Sequence, residues 1–186
     1  NIFGDEKTGR LGALLKRVDV TVAADNATVV EGLSNAGQIA GRPLGVVIEC
    51  DTGRKRAGVE TPAEAVELAR MIKARPDLAF RGLMFYPTEQ SWPETQRFFD
   101  TVRAGLRDLG LDASIVSTGG TPNLENVGKL AGATEHRAGT YIFNDRMMVA
   151  CGAATLEDCA LSVYATVVSR AAPERGILDS GSKTLT

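Results

Sequence analysis

Short apolar runs alternate with helical patterns along most of the chain. The clearest run is LGVVIEC at residues 44–50, which is almost continuously apolar and rich in β-branched residues. Such a run is typical of a strand buried on both faces of a parallel sheet. Further strands are predicted at residues 18–24, 79–86 and 113–117, and a shorter extended segment at residues 139–143.

Four helices are predicted between these runs, at residues 26–40, from residue 61, from residue 91, and at residues 122–130. T-P-A-E at 61–64 and S-W-P-E at 91–94 both have the pattern of a capping box with Pro in the first turn. Strands and helices that alternate every 25–35 residues or so indicate βα units on a parallel sheet. About five such units are visible, whereas a closed barrel needs eight. The pattern alone allows either a barrel or an open doubly wound sheet.

The pattern changes near residue 150. Residues 159–170 (CALSVYATVVSR) are alternating and rich in β-formers, no helix follows them, and residues 176–179 form another short strand candidate. We therefore predict an α/β domain over residues 1–150 and the start of an all-β domain over residues 151–186, with a soft boundary at 150–158.

Composition and charge exclude several classes of protein. The chain has 186 residues, 44% of them hydrophobic, and a net charge of -2, so no basic excess recommends a nucleic-acid or membrane partner. No apolar run approaches the roughly 20 residues of a membrane helix, and the polar first ten residues are not a signal peptide. Three cysteines without a C-x-x-C pair fit a reducing cytoplasm. The sequence lacks an initiator Met and ends abruptly, as expected of a piece of a longer protein.

Candidate chemistry follows the strands, because ligands bind at the carboxyl ends of strands in parallel α/β folds. The loop at residues 51–59 carries three cations between glycines and could hold an anion or a phenolate. A solvated loop with Asp51 paired to an arginine is the alternative that composition favours. Tyr86 ends a strand just before Pro87, so its hydroxyl could face either a site or water.

The S-T-G-G-T-P segment at residues 117–122 is the best phosphate-cradle candidate in the chain. Its glycines would let the backbone approach a ligand, and the helix that follows would offer unpaired N–H groups at its positive end. An ordinary capped turn would use the same residues.

The segment at residues 135–145 follows this turn, and Arg137, Gly139 and Tyr141 could face the same ligand. His136 is the only histidine, and no second histidine or suitably spaced cysteine argues for a metal. A surface or hydrogen-bonded histidine is expected there.

Taken in order, these segments resemble the fold-type III pyridoxal-phosphate enzymes, and most closely the D-threonine aldolase and D-serine dehydratase branch. The resemblance rests on D-T-G-x-x-R-x-G at 51–58, a strand ending in Tyr86, S-T-G-G-T-P at 117–122 and R-A-G-T-Y-I-F-N-D at 137–145. I-L-D-S-G-S-K at 177–183 is similar to the start of that branch's β domain. The family resemblance implies a partial (β/α)8 TIM-type barrel of the alanine racemase type that leads into an all-β domain. It also implies a homodimer.

The resemblance also implies residue roles. Arg56 would contact the phenolic oxygen of pyridoxal 5'-phosphate, and Tyr86 would lie near its pyridine nitrogen. Arg137 matches the arginine that alanine racemases place on that nitrogen. We favour Tyr86 at the pyridine nitrogen. Arg137 would then point to a carboxylate such as Glu135 or to the surface. The phosphate would be held mainly by backbone N–H groups. The predicted cofactor-binding residues are Arg56, Tyr86, Thr118, Gly119, Gly120, Thr121, Arg137, Gly139, Thr140 and Tyr141.

Two parts of the family's active site are expected outside these 186 residues. The Schiff-base lysine would lie upstream of Asn1 and the ligands of a divalent metal downstream of Thr186; Lys183 is interpreted as structural. The predicted function is cleavage of D-β-hydroxy-amino acids to glycine and an aldehyde, or the related D-serine dehydration, by a cytoplasmic lyase of which this segment alone is inactive. An amino-acid racemase and a non-catalytic phosphate-binding barrel are the alternatives.

Overall fold

The computed structural model describes residues 2–181. The chain divides into two compact units between Tyr141 and Ile142, and each is described by itself. The sequence places the boundary near residue 150. The difference is the short helix α5, Arg146–Ala150, which falls in the second unit.

The first unit is built on five parallel strands that lie side by side in chain order. Sequential order is that of a βα-barrel, whereas a doubly wound sheet reverses its order at a switch point. The structure therefore decides between the two alternatives that the sequence left open. The strands are β1 Thr21–Ala24, β2 Leu44–Cys50, β3 Leu78–Phe85, β4 Ile115–Gly119 and β5 Glu135–Arg137.

Helices connect the strands largely where the sequence predicts them. They are α1 Asp5–Leu15, α2 Ala27–Ala40, α3 Pro62–Lys73, α4 Trp92–Asp108 and a 3₁₀ helix at Thr121–Lys129. Thr61 and Glu64 form the predicted capping box. The capping box predicted at Ser91 is wrong, because the Ser91 hydroxyl accepts from the Thr88 N–H instead (2.9 Å). Helix α1 was not predicted, since its first six residues, DEKTGR, carry no apolar side chain.

Two predictions near the end of this unit need correction. Residues 139–143 are not extended: a 3₁₀ turn occupies Thr140–Ile142, and the fifth strand is Glu135–Arg137. Three consecutive polar residues give no apolar strand signal, which is why the sequence missed it. The helix predicted at 122–130 forms with 3₁₀ rather than α geometry.

The two faces of the sheet have different surroundings. Side chains alternate along a strand, and on one face Ile48, Leu83, Phe85 and Val116 pack with the helices in the hydrophobic core. Phe85 is fully buried and meets the rings of Phe98 and Phe99 edge-on at 6.0 and 6.3 Å. The opposite, inner face carries polar and charged side chains among apolar ones.

The second unit contains α5, a short 3₁₀ helix and an antiparallel hairpin of β6, Val167–Ala172, and β7, Arg175–Leu178. The strand predicted at 159–170 begins only at Val167. The predicted α/β architecture followed by β structure is confirmed. Lys183 lies outside the described residues.

No helix within residues 2–181 is long and apolar enough to cross a membrane.

The three cysteines should differ sharply in reactivity. Cys50 is 1% exposed, and burial, aided by the neighbouring carboxylate of Glu49, raises the pKa of its thiol. Because the thiolate is the reactive form, we expect a thiol reagent at neutral pH to modify Cys151 and Cys159 in the folded protein and Cys50 only after denaturation. Mass spectrometry of the labelled peptides checks this; rapid native labelling of Cys50 would contradict the buried position of β2.

Candidate functional site

A row of four side chains, three of them polar, crosses the inner face of the sheet. Strand register places Glu49 beside Met84, Met84 beside Ser117, and Ser117 beside Glu135. All four alternate with the residues that face the helical core, so they share the inner face. Glu49 is only 8% exposed, and a carboxylate this buried requires a charged or hydrogen-bonding partner.

Arg137 lies on the same face, one step nearer the carboxyl ends of the strands. Its Nε donates to the hydroxyl of Ser117 (2.8 Å) and its Nη2 to the carbonyl of Phe85 (2.8 Å). Burial lowers the pKa of Arg137, the carboxylates of Glu49 and Glu135 act in the opposite direction, and the cation Arg56 lowers the pKa further. An arginine keeps its charge despite such a shift, so a fixed cation is present at this edge.

The ring of Tyr86 contacts both the cationic loop and the glycine turn. The Arg54 and Arg56 guanidinium carbons lie 4.2 and 5.6 Å from its centroid. A Cβ added to Gly120 would come within 2.2 Å of the Tyr86 Cε2 atom. The segments at 51–58, 86 and 117–122 therefore meet at one edge of the sheet.

The loop after β2 is held by Asp51. One carboxylate oxygen accepts from the amides of Gly53 and Arg54 (both 2.8 Å), and the other accepts from the amide of Arg56 (3.2 Å). The favoured interpretation of Asp51 as an arginine's ion-pair partner is therefore wrong, because its oxygens bind backbone N–H groups of its own loop. The Arg56 side chain instead approaches Glu49, with Nη2 and Oε1 3.9 Å apart.

The turn after β4 depends on glycine. Gly120 has φ +101°, which an L side chain rarely adopts. Its N–H donates to the carbonyl of Arg137 (3.0 Å), and the hydroxyl of Thr121 accepts from the amide of Tyr141 (3.1 Å). The turn and the segment after β5 are thus bound to each other at two points.

Gly119 pairs with Arg137 in the strand register. Seven of the ten predicted site residues are thus linked: Arg56, Tyr86, Gly119, Gly120, Thr121, Arg137 and, through its amide, Tyr141. The side chain of Thr118 is fully buried on the helix-facing side, where it contacts His136, so only its backbone is available to the inner face. Gly139 and Thr140 are exposed between Arg137 and Tyr141. The Tyr141 ring is half exposed.

Three residues of this edge were missed by sequence reasoning: Glu49, Arg54 and Ser117. Glu49 had a usable signal, since it is the one charged residue in the apolar run LGVVIEC. Arg54 and Ser117 lie in segments that the sequence singled out, but their own roles could not be assigned, because their contacts with Tyr86 and Arg137 depend on tertiary packing. His136 is hydrogen-bonded through both ring nitrogens, which agrees with the expectation of a satisfied histidine.

Within residues 2–181, no three His, Cys, Asp or Glu side chains come together as a metal site.

The comparisons with known proteins fit this geometry. The model of the alanine racemase N-terminal domain matches residues 3–147. That is more than half of the chain. The chain belongs to the alanine racemase N-terminal domain family. The family predicted from the sequence is thereby confirmed.

The chain is also similar to individual aldolases and to a dehydratase. D-threonine aldolase of Arthrobacter sp is 32% identical over 199 residues, which cover 100% of this chain and 52% of the aldolase. The crystal structure of D-threonine aldolase from Filomicrobium marinum has a TM-score of 0.79 and 26% identity, and covers 97% of this chain and 53% of that one. A mutant of D-threo-3-hydroxyaspartate dehydratase in the metal-free form has a TM-score of 0.69 and 27% identity, covering 87% and 47%. The chain thus spans about half the length of these relatives.

Proposed function

We propose that the carboxyl edge of this sheet binds pyridoxal 5'-phosphate in an enzyme that acts on D-β-hydroxy-amino acids. The observation that carries the proposal is that Arg56, Tyr86, Gly120 and Arg137 form one continuous surface there. The residues also fit the group chemically: cations face the site, and a Cβ at Gly120 would fill the space beside Tyr86.

Each part of the cofactor has a matching group. Arg56 would donate to the phenolic oxygen, with Glu49 balancing its charge. Backbone N–H groups of residues 118–121 other than Gly120, whose N–H donates to the Arg137 carbonyl, would hold the phosphate together with those of Gly139 and Thr140. The positive end of the 3₁₀ helix would aid them. The Tyr141 amide is engaged by Thr121, so Tyr141 would shape this cradle rather than donate to it.

Tyr86 and Arg137 remain the two candidates for the pyridine nitrogen, and we propose Tyr86. Two of Arg137's donors are held by Ser117 and by the Phe85 carbonyl, which keeps the guanidinium on the inner face of the sheet. A fixed arginine at the nitrogen would keep the ring unprotonated and favour the racemase alternative. Tyr86 could donate a hydrogen bond without adding charge.

When bound, the cofactor would supply an electron sink for the charge left at the substrate's α-carbon. In this chain, Arg56 and Tyr86 would orient the ring and the glycine turn would hold the phosphate. A divalent metal at the β-hydroxyl would assist either cleavage or dehydration. We propose that the metal's ligands and the Schiff-base lysine lie outside these 186 residues. We further propose that the enzyme is a cytoplasmic homodimer, in which residues 1–150 form part of the barrel and residues 151–186 begin the β domain.

The proposal is tested in a protein that carries this chain together with the remaining length of its relatives. We expect D-threonine to yield glycine and acetaldehyde, or D-3-hydroxyaspartate to lose water, and a chelator to abolish either reaction. Chelator-resistant interconversion of D- and L-amino acids would establish the racemase instead. The 186-residue chain alone should show no turnover, and purified turnover from it would contradict the placement of the lysine and the metal ligands.

A further inference from the structure

The single histidine of the chain joins the two strands that flank the glycine turn. His136, in β5, has Nδ1 2.8 Å from the hydroxyl of Thr118, in β4, and Nε2 3.1 Å from the carbonyl oxygen of Gly120. Thr118 is fully buried and lies on the helix-facing side of the sheet. The imidazole is therefore behind the proposed phosphate cradle and has no place among the groups that touch the cofactor.

These contacts determine the tautomer of the neutral ring. The carbonyl of Gly120 can only accept, so Nε2 must carry a hydrogen. Nδ1 of the neutral ring is then bare and accepts from the Thr118 hydroxyl, to which it lies closer (2.8 Å) than the Glu135 carbonyl does (3.4 Å). The same Gly120 oxygen also accepts from the amide of Asn123 (2.9 Å). Two donors therefore hold this carbonyl on the side away from the inner face.

The orientation of that carbonyl determines where the next amide points. The peptide bond between Gly120 and Thr121 is planar and trans, so its N–H points opposite to its C=O. Thr121 is the first residue of the 3₁₀ helix, and its N–H is one of those that a helix leaves without an internal partner. Holding the Gly120 carbonyl towards His136 thus aims the Thr121 N–H away from His136.

We propose that His136 is a positioning residue for the phosphate: by holding the Gly120–Thr121 peptide, it presents the Thr121 N–H to a phosphate monoester. This inference rests on the proposed function. Glycine at position 120 makes the opposite peptide orientation accessible, and that orientation would turn a carbonyl oxygen towards the anion. Thr118 acts through His136, which explains why a hydroxyl is buried behind a site it does not face.

The first test is the tautomer. The sole imidazole gives one pair of ¹⁵N signals, which can be read without assignment at an alkaline pH where the signals no longer change with pH. We expect the hydrogen on Nε2. A hydrogen on Nδ1 with a bare Nε2 would overturn the proposal, because the Gly120 carbonyl would then have no donor on the ring.

The second test compares affinities for pyridoxal phosphate, inorganic phosphate and pyridoxal. His136→Phe and the nearly isosteric Thr118→Val should each weaken the two phosphate-containing ligands, by about tenfold for His136→Phe, and leave pyridoxal unchanged. His136→Gln can still donate an N–H to Gly120 and should recover most of the affinity. Thr101→Val is the matched control, since the Thr101 hydroxyl is exposed and bonds only within α4.

The outcomes separate the two claims. If the wild-type chain bound the phosphate-containing ligands and His136→Phe and Thr118→Val bound them equally well, the role of His136 would be overturned. The proposed function would still stand. An equal loss for pyridoxal would show a general structural role and would also overturn it. If the wild-type chain bound neither phosphate-containing ligand, the proposed function would fail, and the role of His136 with it.

Discussion

Gly120→Ala is expected to remove most of the affinity for pyridoxal phosphate. The new Cβ would lie 2.2 Å from the Tyr86 ring at a residue whose φ is +101°. The backbone and the ring cannot both stay in place, since 2.2 Å is far below van der Waals contact and the Arg54 guanidinium already packs over the ring at 4.2 Å. Overpacking of this kind costs about 1–3 kcal/mol, and we expect at least about a tenfold rise in the cofactor's Kd.

Equilibrium dialysis with absorbance detection measures that change. Gly128→Ala is the matched control, because a Cβ there meets nothing within 4 Å and Gly128 does not have positive φ. Its affinity should equal that of the wild type. Equal cofactor retention by Gly120→Ala and Gly128→Ala would count against a cradle at residues 118–121.

Phe85→Ala should have the largest effect on stability. Phe85 is fully buried, packs edge-on against Phe98 and Phe99, and joins β3 to α4. Truncating a buried phenylalanine costs about 3–5 kcal/mol, a large share of the roughly 5–15 kcal/mol that stabilises a typical domain. Denaturant unfolding followed by far-ultraviolet circular dichroism should show the midpoint falling accordingly.

This substitution should also disturb the site, because the Phe85 carbonyl holds Arg137. Phe3→Ala is the control: Phe3 is 65% exposed, and its removal should change stability by less than about 0.5 kcal/mol. A midpoint for Phe85→Ala that matches the control would mean that β3 is not packed as described.

The sequence was informative where local chemistry determines structure. The apolar run at 44–50 is β2, residue for residue, and Thr61 and Glu64 make the capping box that their spacing predicts. Strand ends were found because Tyr86 and the glycine turn follow apolar runs. These features depend only on residues that are close in sequence, so they can be predicted without knowledge of the tertiary fold.

The rest required tertiary contacts. Strand β5 is recognised by its pairing with β4, since Glu135, His136 and Arg137 are all polar. Whether Asp51 would bind a side chain or its own loop amides depended on backbone conformation, which composition does not reveal. The order of the strands, and hence the barrel, is likewise a property of long-range pairing.

Pyridoxal phosphate should bind at the carboxyl edge of the parallel sheet. Amide NMR of the ¹⁵N-labelled chain during a titration with pyridoxal phosphate locates the binding site. We expect the changing signals to fall at Arg56, Tyr86, residues 118–121 and residues 137–140. Changes confined to the opposite end of the strands, where Arg42 and Arg81 line a separate hollow, would contradict it.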